Sequence, residues 1–123
     1  ECLSRGAKNV TFIEKYSPVI KILKKNLLNL IPLNNYNVYE ANILTDCWVK
    51  NLNKKFDLIF LDPPYAEKNI NLVLDKIKDN SLLADKGIII LHRPKKNDDQ
   101  YPNYLNFLEK KRYGINQIIF ATL

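Results

Sequence analysis

The succession of apolar runs along the chain predicts an α/β fold: a mostly parallel sheet with crossover helices, ending in an antiparallel hairpin. Three observations carry that prediction. Short strand-like runs alternate with helix-period segments from residue 10 to residue 91. The runs at 56–61 (FDLIFL) and 88–91 (IIIL) read as strands buried on both faces, as a parallel sheet requires. Residues 107–123 hold two further runs about Gly114, which reads as the turn of a hairpin.

Each element has its own local signal. Residues 2–5 look like a helix end, with Gly6 suited to the left-handed position beyond it. Residues 10–14 (VTFIE) form a short buried strand that ends in an acid. Ser17 and Pro18 start a helix, with proline in the first turn. Val19, Ile20, Leu23, Leu27 and Leu30 recur at helical spacing, and Pro32 closes the helix. Residues 37–40 are a second strand, and 44–52 a weaker helix. Beyond the strand at 56–61, Ile70, Val73, Leu74 and Ile77 mark another helix. Gly87 introduces the strand at 88–91. After Arg93-Pro94 the texture changes: 95–103 is polar and reads as a mobile loop. The hairpin follows.

Bulk properties fit one small domain over residues 1–123. The chain is 46% hydrophobic and 26% charged, the balance of a soluble globular protein. It has no apolar run near the length of a membrane span and no signal-peptide pattern at its start. Cys2 and Cys47 give neither a disulfide framework nor a metal-ligand spacing, so two reduced thiols in the cytoplasm are expected. The net charge of +6 favours a polyanionic partner, although a composition rich in Lys, Asn and Ile yields such a charge in any protein of an AT-rich genome. There is no Met, and the chain opens inside what looks like a helix. It reads as part of a longer protein.

Asp62-Pro63-Pro64-Tyr65 is the most informative segment. It follows directly on the strand at 56–61. Open α/β sheets bind ligands at the carboxyl ends of their strands. A carboxylate, two prolines and an aromatic ring there make a rigid polar ledge beside a flat apolar surface. That pairing suits holding a planar base while its exocyclic amino group is methylated.

The motif, the strand order and the terminal hairpin resemble the Rossmann-like methyltransferases that use S-adenosylmethionine. More narrowly, the chain resembles the bacterial 16S rRNA guanine-N2 methyltransferases of the RsmD type. The residues behind this are 1–7 (ECLSRGA), 10–14 (VTFIE), 56–65 (FDLIFLDPPY) and Arg112-Tyr113-Gly114, spread over nearly the whole chain. The resemblance implies a sheet of order 3-2-1-4-5-7-6. It also implies that the first family strand and its glycine-rich loop precede residue 1, leaving a partial catalytic domain that is poorly stable and inactive alone.

By the same resemblance Glu14 holds the adenosine ribose of S-adenosylmethionine. Asn42, where the family often has Asp, meets the adenine amino group through its carbonyl oxygen, and Ile43 covers the ring. Asp62, Pro63, Pro64 and Tyr65 are the catalytic residues, with Asp62 also beside the cofactor. Asp62 and the Pro63 carbonyl accept from the amino group, Pro64 fixes the backbone, and Tyr65 stacks on the extruded base. His92 and Arg93 follow the fifth family strand and are taken as substrate-binding; His92 approaches the base or a phosphate, or serves a structural role at the strand end. Lys95 and Lys96, with Lys110, Lys111 and Arg112, contact rRNA phosphates or form a solvated face. Trp48, Tyr36 and Tyr39 read as packing residues. No metal is implied. The expected partner is 16S rRNA or an assembling small ribosomal subunit, met by a monomer in the cytoplasm. Two alternatives stay open: an adenine-N6 nucleic-acid methyltransferase, or a truncated RNA-binding fragment without catalysis.

Overall fold

In the computed structural model the described residues are 1–28, 35–96 and 99–123. They fall into two compact units, Glu1–Trp48 and Val49–Leu123.

The first unit opens on a turn that ends as predicted. Gly6 has φ +92°, the Gly6 amide donates to the Leu3 carbonyl (3.1 Å) and the Ala7 amide to the Cys2 carbonyl (3.0 Å). That paired bonding is the Schellman closure of a helix end, and only glycine enters it without strain. Strand β1 (Val10–Glu14) pairs in parallel with β2 (Tyr36–Glu40), in a register that sets Glu14 beside Glu40. Helix α1 (Ser17–Leu28) crosses between them. Ile20 and Leu27 are buried with Leu3 and Trp48, whereas Val19, expected on the same stripe, is exposed. The helix end expected at Leu30 and Pro32 lies outside the described residues. Among the described residues β1 pairs with β2 alone, and it is half-buried throughout, not buried as the sequence suggests.

The helix expected at 44–52 is not one. Residues 43–45 form a turn, and a single 3-10 turn follows at Trp48–Asn51. Polar side chains take the backbone groups a helix would use. The Asn42 amide oxygen accepts from the Leu44 amide (3.0 Å), and Asp46 accepts from the Asn42 amide (2.7 Å). Trp48 is buried, as expected, with its indole N–H on the Ile43 carbonyl (2.9 Å).

The second unit is a four-stranded sheet of order β3-β4-β6-β5 with one helix. β3 (Phe56–Leu61) runs parallel to β4 (Leu83–Pro94); β6 (Asn116–Thr122) is antiparallel to β4, and β5 (Asn106–Tyr113) antiparallel to β6. The terminal hairpin is therefore as read, with Gly114 at φ +51° in its turn. Helix α2 (Ile70–Asp79) buries the stripe Ile70, Val73, Leu74 and Ile77. These meet a core completed by Leu82, Leu83, Ile89, Leu91, Leu105, Ile119 and Ala121.

β3 is the main departure. Among the described residues it pairs with β4 alone, as expected of a strand beside the missing first family strand, but it is not buried on both faces: Leu58 and Phe60 are 49% and 55% exposed. An apolar run does not reveal whether both faces are covered. Ile59 and Leu61 sit on the opposite, half-buried face. β4 is also longer than read, so Gly87 lies inside it at a register irregularity with β3 rather than before it. A Cβ at Gly87 would stand 2.7 Å from Leu83 Cγ and Cδ1 and 2.9 Å from the Ala84 carbonyl oxygen. Gly87→Ala is therefore expected to destabilise by about 1–3 kcal/mol. A urea midpoint lowered at unchanged slope would register it; an unmoved midpoint would refute it.

Candidate functional site

Both units carry polar groups at the carboxyl ends of their parallel strands, where such sheets bind ligands. In the first unit Glu14 ends β1. Its Oε1 accepts from the amides of Lys15 (2.7 Å) and Tyr16 (2.8 Å), which fixes the carboxylate. Oε2 has no protein donor among the described residues and can take a ligand hydroxyl. Beside it an open pocket of about 360 Å³ is lined by Lys15, Tyr16, Glu40, Ala41, Asn42 and Asp46. Asn42 thus stands where a ligand could reach it. Its amide oxygen, assigned to an adenine amino group, already accepts from Leu44, so one lone pair remains for that duty. Ile43 is half-buried behind it. Sequence reasoning missed Tyr16, Glu40 and Asp46. The first two had a signal: Tyr16 is two residues past Glu14, and Glu40 ends the partner strand.

In the second unit the pairing Leu61↔Leu91 brings the next residues, Asp62 and His92, side by side. His92 Nδ1 lies 2.8 Å from Asp62 Oδ1. Asp62 Oδ2 has no protein partner among the described residues. Pro63 is buried and Pro64 exposed; the Glu67 amide donates to the Pro64 carbonyl (2.9 Å), closing the turn that carries Tyr65. Tyr65 is 47% exposed and meets His92 edge-on, ring centroids 6.2 Å apart. Asp62, Tyr65 and His92 are thus brought together.

Arg93 is a correction. Expected to meet substrate, it is 0% exposed. Its Nε and Nη2 donate to the two oxygens of Asp99 (2.8 and 3.0 Å), Nη2 also to the Glu67 carbonyl, and Nη1 more weakly to that of Pro64 (3.4 Å). Four of its five N–H groups are engaged and the side chain has no exposed surface to offer a phosphate. The hydrogen bond from Arg93 holds the Asp99 carboxyl below its ordinary value. Burial, with Asp99 alongside, pushes the Tyr101 phenol well above its own. The stretch expected to be a mobile polar loop is therefore anchored at Asp99 and Tyr101, whose hydroxyl donates to Asp99 (3.2 Å).

Lys95 and Lys96 are exposed just past β4, and the Lys95 amide donates to the Ile115 carbonyl (2.9 Å). Because Pro94 pairs with Asn116 and Tyr113 with Asn116, the hairpin turn stands at the same sheet end as His92. Lys110, Lys111 and Arg112 are exposed on β5, with Lys111 3.4 Å from Glu109.

This mixed α/β architecture is shared with solved methyltransferase structures. A candidate methylase of Haemophilus influenzae, solved by crystallography, superposes with a TM-score of 0.81 at 30% identity, covering 97% of this chain and 74% of that one. The chain belongs to the family described as Conserved hypothetical protein 95, the RsmD-type methyltransferase family, which matches residues 1–122. It is 33% identical over 93 residues to the Ribosomal RNA small subunit methyltransferase D of Buchnera aphidicola subsp. Baizongia pistaciae, 76% of this chain and 46% of that protein. It is also 27% identical over 132 residues to a candidate protein N5-glutamine methyltransferase of Methanocaldococcus jannaschii, 99% of this chain and 55% of that protein. The chain spans about half the length of these curated relatives.

Proposed function

We propose that the full-length protein methylates the exocyclic N2 amino group of a guanine in 16S rRNA, drawing the methyl group from S-adenosylmethionine. The observation that carries this reading is the cluster Asp62, His92 and Tyr65 on a proline-fixed turn. Such an amino nitrogen is a weak nucleophile because its lone pair is delocalised into the ring. Asp62 Oδ2 and the Pro63 carbonyl would accept its two hydrogens and favour tetrahedral geometry. That is orientation and electrostatic stabilisation without a covalent intermediate. His92 holds the carboxylate in place, and Tyr65 offers a ring for stacking.

The residues of the first unit fit the cofactor. Glu14 has one anchored carboxylate oxygen and one without a protein donor among the described residues, which suits a ribose, and the neighbouring pocket is open and lined by polar side chains including Lys15, Asn42 and Asp46. Glu14, Asn42 and Ile43 would hold the adenosine part. S-adenosylmethionine, when bound, supplies an electrophilic methyl group. The pairing β1-β2 and the order β3-β4-β6-β5 support the proposed order 3-2-1-4-5-7-6, in which they would be its 2-3 pair and its 4-5-7-6 run. Lys95 and Lys96 would meet rRNA phosphates, the substrate being naked rRNA or an assembling small subunit reached by a monomer in the cytoplasm. Among the described residues no helix is long and apolar enough to cross a membrane.

The Methanocaldococcus jannaschii relative favours a second reading, since the same ledge suits any planar amino group, including a glutamine amide. Methyl-labelled S-adenosylmethionine offered with 16S rRNA, small subunits and cellular protein separates the readings. N2-methylguanosine is the expected product. Label in N6-methyladenosine or methylglutamine, or no label, would overturn the proposal.

A further inference from the structure

The geometry points to Arg93 as a positioning residue for the acceptor: its buried guanidinium brackets Tyr65 and fixes the turn from which that ring projects. The inference rests on the reading of residues 62–65 as the acceptor ledge. Arg93 bonds the carbonyls of Pro64 and Glu67, one residue before Tyr65 and two after it. The Glu67 amide closes the same turn onto Pro64 (2.9 Å). The turn is therefore tied to β4 on both sides of the aromatic ring.

Stability alone does not account for an arginine here. Ile89, Leu91 and Arg93 share one face of β4, and all three are 0% exposed. An apolar residue would continue the stripe, and buried ion pairs replaced by well-packed hydrophobes are often neutral or stabilising. The planar fork adds geometry: donors for Asp99 and for two backbone carbonyls at once, which lysine's single ammonium cannot supply. Consecutive residues of β4 thus divide the ledge. His92 holds its acid from one face, and Arg93 holds its turn from the other. Asp99, steadied by Tyr101, fixes the guanidinium plane.

Arg93→Lys and Asp99→Asn in the full-length protein test this in two arms. The first follows amide hydrogen exchange by NMR at Glu67 and at Ile89 in mid-strand. The second measures kinetics with rRNA and S-adenosylmethionine varied separately. In both variants exchange at Glu67 is expected to accelerate at least roughly tenfold more than at Ile89, while kcat/KM for rRNA falls by roughly ten- to a hundredfold and cofactor affinity is unchanged. Lysine, which keeps the charge, is not expected to rescue. Equal acceleration at both amides, none at Glu67, or unchanged rRNA kinetics would overturn the proposal. If Arg93→Lys does not fold, Asp99→Asn decides it. A wild type that transfers no methyl group sinks the ledge reading itself, and the exchange arm then decides separately whether Arg93 holds the turn.

Discussion

Asp62→Ala in the full-length protein should lower kcat for methyl transfer by about 10³-fold or more while leaving affinity for S-adenosylmethionine near that of the wild type. The magnitude follows from what the carboxylate does. One oxygen is held by His92 at 2.8 Å, and in the proposed reading the other would take the acceptor amino group. Alanine removes that acceptor and the charge that would stabilise the nitrogen as it becomes positive. His92→Ala leaves the acid present but free to rotate, so a smaller loss is expected, on the order of tenfold. The fold should tolerate both changes. Asp62 is half-exposed, and an exposed pair of this kind contributes about 0–1 kcal/mol. Rapid-quench turnover beside calorimetric cofactor titration makes the comparison. Near-normal kcat in Asp62→Ala would remove the mechanism. A matching loss of cofactor affinity would reassign Asp62 to binding.

Much of the second unit was legible. The stripe Ile70, Val73, Leu74 and Ile77 predicts a helix and its buried face together, because a 3.6-residue period admits one arrangement. The hairpin about Gly114 was legible because its turn chemistry is local. Burial of β3 was not. Phe56–Leu61 is apolar at most positions, yet exposure depends on what lies over each face, which the strand's own sequence does not encode. The weak helix at 44–52 failed for a local reason: Asn42 and Asp46 satisfy backbone groups from their side chains.

At the site, residue types were legible and their partners were not. Asp62 was chosen from its motif, but its pairing with His92 depends on the β3–β4 register, fixed by contacts thirty residues apart in sequence. Arg93 misled because arginine is usually exposed. The alternation Ile89, Leu91, Arg93 holds the correction, since period two carries the inward face on to residue 93. Glu14 was picked as a strand-end acid; its anchoring by the two amides that follow is a backbone event with no side-chain signature.

Leu91→Ala should cost about 2–5 kcal/mol, the range for deleting a large aliphatic side chain from a packed interior. Leu91 is fully enclosed in β4, between Leu61 of β3 and Ile119 of β6. Flanked on both sides by paired strands, it has little room to collapse into the space left, which favours the upper part of the range. Leu108→Ala, on a β5 residue 58% exposed, should stay within about 0.5 kcal/mol. Leu91→Met, which keeps the volume, should cost less than about 1.5 kcal/mol. Urea unfolding of the three variants orders them. Equal midpoints for the two alanine variants would mean that the β3-β4-β6 core does not bear on stability as its burial implies. The ordering also bears on the site, because the Leu61↔Leu91 register sets Asp62 against His92. Slippage there would separate the acid from its imidazole before the unit unfolds. Leu91→Ala is therefore expected to lose methyl transfer at urea concentrations below its own unfolding midpoint, while Leu91→Met loses activity and fold together.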